Sequence, residues 1–138
     1  MAQVNDGEVE KGPDGQPIIF WRIKQENRKA VTAMLDIGYD IETKGGFDAT
    51  PLIGASLIDD WITVLLLLER GANPLAADRR GFTMTYMLST SRVDRKGSYG
   101  AALGKVQAFL TKQGINDTAY TPVEVKKMLA DGKWPPAK

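Results

Sequence analysis

Gly100 to Lys105 reads GAALGK, and a glycine-rich turn ending in lysine is the sequence form of a phosphate cradle. Its chemistry would be nucleotide binding, with backbone N–H groups around the phosphates, the lysine on the terminal phosphate and a Ser or Thr on magnesium. The segment fails that pattern. The glycines lack the required spacing, Val106 stands where the magnesium ligand belongs, and no strand pattern precedes the turn. The other candidate is Asp59–Asp60, but adjacent carboxylates on regular structure point in different directions rather than across a substrate. The chain has no histidine and no cysteine, which removes structural zinc, disulfides, thiol nucleophiles and imidazole acid–base chemistry. The expectation is a protein that is not an enzyme and uses no metal and no cofactor.

The whole chain sets the frame for those residues. It has 138 residues, 43% hydrophobic and 25% charged, which suits one globular domain with a modest core. Its 18 Lys+Arg balance 17 Asp+Glu, so no net field recommends nucleic acid or an anionic membrane as partner. The longest apolar run, Ile62 to Leu68, is followed at once by Glu69 and Arg70 and is far short of the roughly 20 residues of a membrane-spanning helix. Residues 1–13 are polar and glycine-rich, without the basic start and apolar core of a signal peptide, and are expected to be loose. The default compartment is the cytoplasm; a leader removed from the sequence would place it in the bacterial periplasm instead.

A repeat organises the rest. Pro17, Thr50 and Thr83 stand 33 residues apart, and so do Gly38 and Gly71, each a glycine after an apolar run. A third such glycine, Gly114, follows Gly71 by 43, one period plus ten, which implies an insertion in the third unit. Thr50 suits a helix N-cap with Pro51 at the first helical position, and Gly38 and Gly71 suit helix stops. Such short helix pairs cannot cover their own apolar faces, so neighbouring units must stack, and the dense Val64 to Leu68 run reads as a helix buried over most of its circumference.

These residues resemble the ankyrin repeat. The second unit carries TPLIGAS (Thr50 to Ser56), VLLLLERGANP (Val64 to Pro74) and turn residues Asp78 and Gly81. The first carries PIIFWRI (Pro17 to Ile23) and AVTAML (Ala30 to Leu35) then GYDI, with Arg22 where the family has a small buried alanine. The third opens GFTMTYMLS, with Met84 in place of proline. The resemblance spans about Gly15 to Gly114. It implies an all-α solenoid of helix–turn–helix units with short hairpin turns: repeats at about 14–46, 47–79 and 80–120, an extended loop inserted at about 90–104, and a C-terminal capping helix at about 121–132. For that cap, Thr121 and Glu124 have capping-box spacing, Pro122 sits at the first helical position, Gly132 ends the helix and Trp134 folds back onto the stack.

The resemblance also implies function: binding of another protein through the concave face, with the turns Glu42 to Ala49 and Ala76 to Phe82 displayed along one edge. Candidate contacts there are Phe47, Asp48, Asp78, Arg79, Arg80 and Phe82, arginine and aromatic residues being favoured interface anchors. Trp61 is a further candidate contact, with covering a neighbouring unit as its alternative. Arg92, Asp94, Arg95 and Tyr99 are candidates in the insertion, because a long loop in a regular repeat is where function is often carried. The expected role is that of an inhibitor or immunity protein, monomeric when free, masking a toxin or enzyme. The alternatives are a scaffolding or homo-oligomeric assembly protein and a small-ligand binder centred on Ser89 to Lys105.

Overall fold

The computed structural model describes residues 10–115 and 119–136 and is all-helical over them. Its α-helices are α1 (Ile18–Lys24), α2 (Arg28–Asp36), α3 (Pro51–Leu57), α4 (Trp61–Glu69), α5 (Met84–Thr90), α6 (Ser98–Lys112) and α7 (Pro122–Ala130). The 33-residue period recurs in their starts: α1, α3 and α5 begin at 18, 51 and 84, and α2 and α4 at 28 and 61.

Local chemistry explains five of these starts. Asn27, Thr50, Asp60, Thr83 and Thr121 cap α2, α3, α4, α5 and α7 with a side-chain oxygen that accepts a backbone N–H in the first turn, and Thr121 and Glu124 form a full capping box. The turns ahead of α1, α3 and α5 repeat at the level of single hydrogen bonds. The N–H groups of Gly12, Gly45 and Asp78 donate to the carbonyls of Gln16, Ala49 and Phe82. Residues Glu10 to Pro13, expected to be loose, therefore belong to the first turn; residues 1–9 lie outside the described set.

Packing follows two rows. α1 packs on α3 and α3 on α5, while α4 packs on α6, and α1–α2 and α3–α4 form paired hairpins. One core runs through them, from Ile19 and Ile23 through Leu52, Trp61, Val64 and Leu67 to Met84, Leu103 and Leu110. α4 is apolar nearly all round, with Trp61, Val64, Leu67 and Leu68 buried and Ile62, Leu65 and Leu66 half-buried against the same core. Phe20 is buried in that core and Trp21 packs against it. Arg22 finds room by lying half-buried with its guanidinium on the Gln25 side-chain oxygen, 3.0 Å away.

The insertion is not the extended loop that was expected over 90–104. Its ten residues are divided. The connection between α5 and α6 spans 91–97 where that between α3 and α4 spans 58–60, and α6 has 15 residues where α4 has 9. The second half is helical because Ala102, Leu103, Val106 and Leu110 recur on one face and are buried there. A cavity of about 260 Å³ lies between Thr85 and Leu88 of α5 and Gln107 and Leu110 of α6.

α7 meets the last turn at Gly81. That glycine has φ +88°, and a Cβ on it would fall 2.1 Å from the Pro122 carbonyl oxygen. Trp134 returns to the same turn, its indole N–H donating to the Leu75 carbonyl at 2.8 Å with its ring edge-on to Tyr120. Gly81→Ala is expected to destabilise the protein by roughly 1–3 kcal/mol from backbone strain alone, read as a lower urea midpoint.

Tyr39, just past the end of α2, is buried, and among the described residues its hydroxyl has no partner within hydrogen-bond distance. Burial is the main cause that pushes its pKa above the ordinary tyrosine value. The folded state thus holds the proton more tightly than the unfolded one, so this stability is full below about pH 10 and is lost as pH rises through that range. Tyr39→Phe removes an unpaired buried hydroxyl and is expected to gain about 1 kcal/mol at neutral pH. Urea unfolding at neutral and alkaline pH should also show a shallower alkaline loss than in the wild type.

Candidate interaction surface

The turns before α3 and α5 join into one surface through a single carboxylate. Asp78 is buried, and its Oδ1 accepts the backbone N–H groups of Arg80 and Phe82 at 2.9 and 3.0 Å. Its Oδ2 accepts from Arg80 Nε and Nη2 at 3.1 and 2.7 Å. So held, the Arg80 guanidinium lies over two rings, 4.4 Å from the centroid of Phe47 and 4.8 Å from that of Phe82. Arg79 adds a backbone N–H to the Phe47 carbonyl at 2.8 Å and an ion pair to Asp48 at 3.4 Å.

The middle turn departs from the other two. A short 3₁₀ segment, Gly46–Asp48, replaces the bridge that pairs Lys11 with Pro17 and Ala77 with Thr83. Phe47 and Asp48 both adopt left-handed backbone, with φ 56° and 61°. Phe47 as a whole is 53% exposed. Beside it, a groove of about 300 Å³ crosses α1 and α3, floored by Phe20, Ile23 and Ala49, with exposed Leu57 and Ile58 on its wall and Arg80 at its edge.

A second, larger cleft of about 550 Å³ lies at the connections within the hairpins, between Glu26, Ile58, Asp59, Val93 and Tyr99. Behind it runs a polar network. Asp60, 2% exposed, caps α4 and receives Arg28 Nη2 at 2.8 Å, while Arg28 Nε donates to Thr63 Oγ1 at 3.1 Å. Arg28 Nη2 also donates to the Tyr99 hydroxyl oxygen at 3.3 Å, and that hydroxyl donates to Glu26 Oε1. Burial alone would lower the Arg28 pKa; the hydrogen bonds that Arg28 donates to Asp60 and Tyr99 outweigh it and raise the pKa above its ordinary value. Asp59 turns the other way, accepting from the Trp61 indole at 3.0 Å and Ser91 Oγ at 2.7 Å.

The expected contact residues thus fall into three groups. Phe47, Asp48, Arg79, Arg80 and Phe82 come together on the turn surface. Arg92, Asp94 and Arg95 are exposed on the connection to α6, and Tyr99 is tied to Glu26 and Arg28. Trp61 and Asp78 are corrections: both are buried, the indole in the core and the carboxylate inside its turn, so neither side chain offers a contact surface. Sequence reasoning missed Leu57, Ile58, Glu26 and Arg28. Glu26 carried one signal, since it stands 33 residues before Asp59 and shares its left-handed backbone, φ 55° against 59°.

Among the described residues, no group of three or more acidic residues is placed to hold a metal ion, and no helix is long and apolar enough to cross a membrane. They define an all-helical protein built on a 33-residue period of helix pairs. No protein-family model matches the chain, and no curated protein matches it either.

The two arginines of the turn should separate in stability. Arg80→Ala leaves the buried Asp78 carboxylate without its cation and should cost about 1–3 kcal/mol. Arg79→Ala removes only an exposed pair and should cost less than about 1 kcal/mol. Urea midpoints of the two variants check the contrast.

Proposed function

We propose that the chain is an ankyrin-repeat-type protein-binding module that acts through the turn surface and the groove across α1 and α3. The observation that carries this reading is Phe47. A left-handed backbone costs a non-glycine residue about 1–2 kcal/mol, and an aromatic residue half in water returns little of that to folding. Strained residues of this kind cluster at binding sites. Arg80 braces the ring, so a preformed aromatic anchor stands beside Gly46 at the groove whose lining includes exposed Leu57 and Ile58, with little ordering left to do on binding.

The role that suits a rigid, preformed surface is steric: an inhibitor or immunity-type protein that covers the working surface of a toxin or enzyme. Arg79 and Asp48 at the rim supply charges of both signs for choosing the partner.

Affinity capture with the wild-type chain, followed by titration of each captured protein, tests the proposal. Asparagine tolerates left-handed backbone, so Phe47→Asn should leave the urea midpoint within about 1 kcal/mol of wild type. Combined with Ile58→Ser, it should weaken a genuine partner at least tenfold, and Val123→Ser on α7 should not. A partner that binds the double variant as tightly as wild type would overturn the site. A stable homodimer in light scattering, lost in the same double variant, would replace the reading with self-assembly.

A further inference from the structure

When α4 and α6 are aligned on the glycines that follow them, Gly71 and Gly114, the six additional residues of α6 lie at its N-terminal end, Ser98 to Leu103. That extension carries Tyr99 past the start of α4 and back to the first hairpin, 73 residues away in sequence, where its hydroxyl meets Glu26 and Arg28. The connection that feeds it is fixed at both ends. Ser91 Oγ bonds Asp59 and receives the Trp61 indole N–H at 3.2 Å. At the other end the backbone of Asp94 and Arg95 lies so close to α6 that a Cβ on Gly100 would fall 2.1 Å from the Asp94 carbonyl oxygen.

In a stack of short repeats each unit touches only its neighbours, and an end unit can open on its own. Here the first and third units also touch each other, over the buried Asp60–Thr63 pair of the second. We infer that Ser91 to Tyr99 is a strap that couples the first hairpin to the third, so that the three helix pairs open together instead of from the end inward. The coupling is carried by few atoms: the Tyr99 hydroxyl and ring, the Arg28 guanidinium 5.8 Å from the ring centroid, and the Glu26 and Asp60 carboxylates. It stands on these contacts alone and is independent of what the turn surface binds.

Amide hydrogen exchange by mass spectrometry across low urea concentrations tests the strap. In the wild type, peptides covering α1–α2 and α4 should converge on one urea-dependent opening. In Tyr99→Ala, the α1–α2 peptides should exchange at least tenfold faster while α4 holds its wild-type rate. Separate openings in the wild type, no change in the variant, or equal acceleration of all helices would each overturn the inference. Should Tyr99→Ala fail to fold, Tyr99→Phe keeps the ring and removes only the hydroxyl. It should show the same selective pattern at smaller amplitude, and a uniform or absent effect would again overturn it.

Discussion

Trp61, Val64, Leu67 and Leu68 leave water only because α3 packs on one side of α4 and α6 on another. A nine-residue helix is too short to be stable by itself, so its existence and that of its neighbours are one fact. Everything else is arranged around that shared burial. Capping residues start each helix where the apolar residues will face inward, and the turns must bring the chain back within reach of the next unit. Asp60 joins both tasks, starting α4 with one carboxylate and holding Arg28 of the preceding pair with the same group. With Asp60 buried and Arg28 half-buried, the pair adds little net stability over a hydrophobic substitute, but stripping the buried carboxylate of its partner is expensive, which makes it a device for fixing how adjacent pairs sit.

The turn surface shows the opposite balance. In the first and third turns a glycine, Gly15 or Gly81, takes the left-handed position that the geometry requires, whereas the middle turn puts Asp48 there and adds Phe47 in the same conformation. The middle turn is thus the least relaxed of the three, and its strain is held by Asp78 and Arg80 from the next unit. Stability spent in one turn is supplied by a buried carboxylate in another.

What could be read from sequence was what local chemistry specifies. The Thr–Pro starts, the glycine stops, the capping box at Thr121 and the fold-back of Trp134 each involve residues whose types suffice to announce them. The division of the insertion could not be read that way. The ten extra residues in the repeat spacing imply only an insertion, and the buried face of Ala102, Leu103, Val106 and Leu110 makes its second half helical once α4 is there to receive it. Trp61 and Asp78 looked like contacts because bulk and charge are what interfaces use. Trp61 is buried by the helices packed round it and its indole N–H bonds Ser91, 30 residues on, which no local pattern marks, whereas the Asp78 carboxylate is taken up by Arg80 and Phe82 of its own turn, the ordinary turn chemistry of an aspartate. What holds for Trp61 holds for Tyr99, whose neighbours lie in the first hairpin.

Arrays of identical units ordinarily grow and shrink by duplication, since each new interface copies an old one. The contact of Tyr99 with Glu26 and Arg28 removes that freedom between them. One more helix pair in the row would push the two sides apart by a helix spacing, about 8–10 Å, far beyond the reach of a hydroxyl. The contact therefore counts: it is satisfied by one intervening pair and by no larger number, so any further unit would have to be added outside the two that it joins.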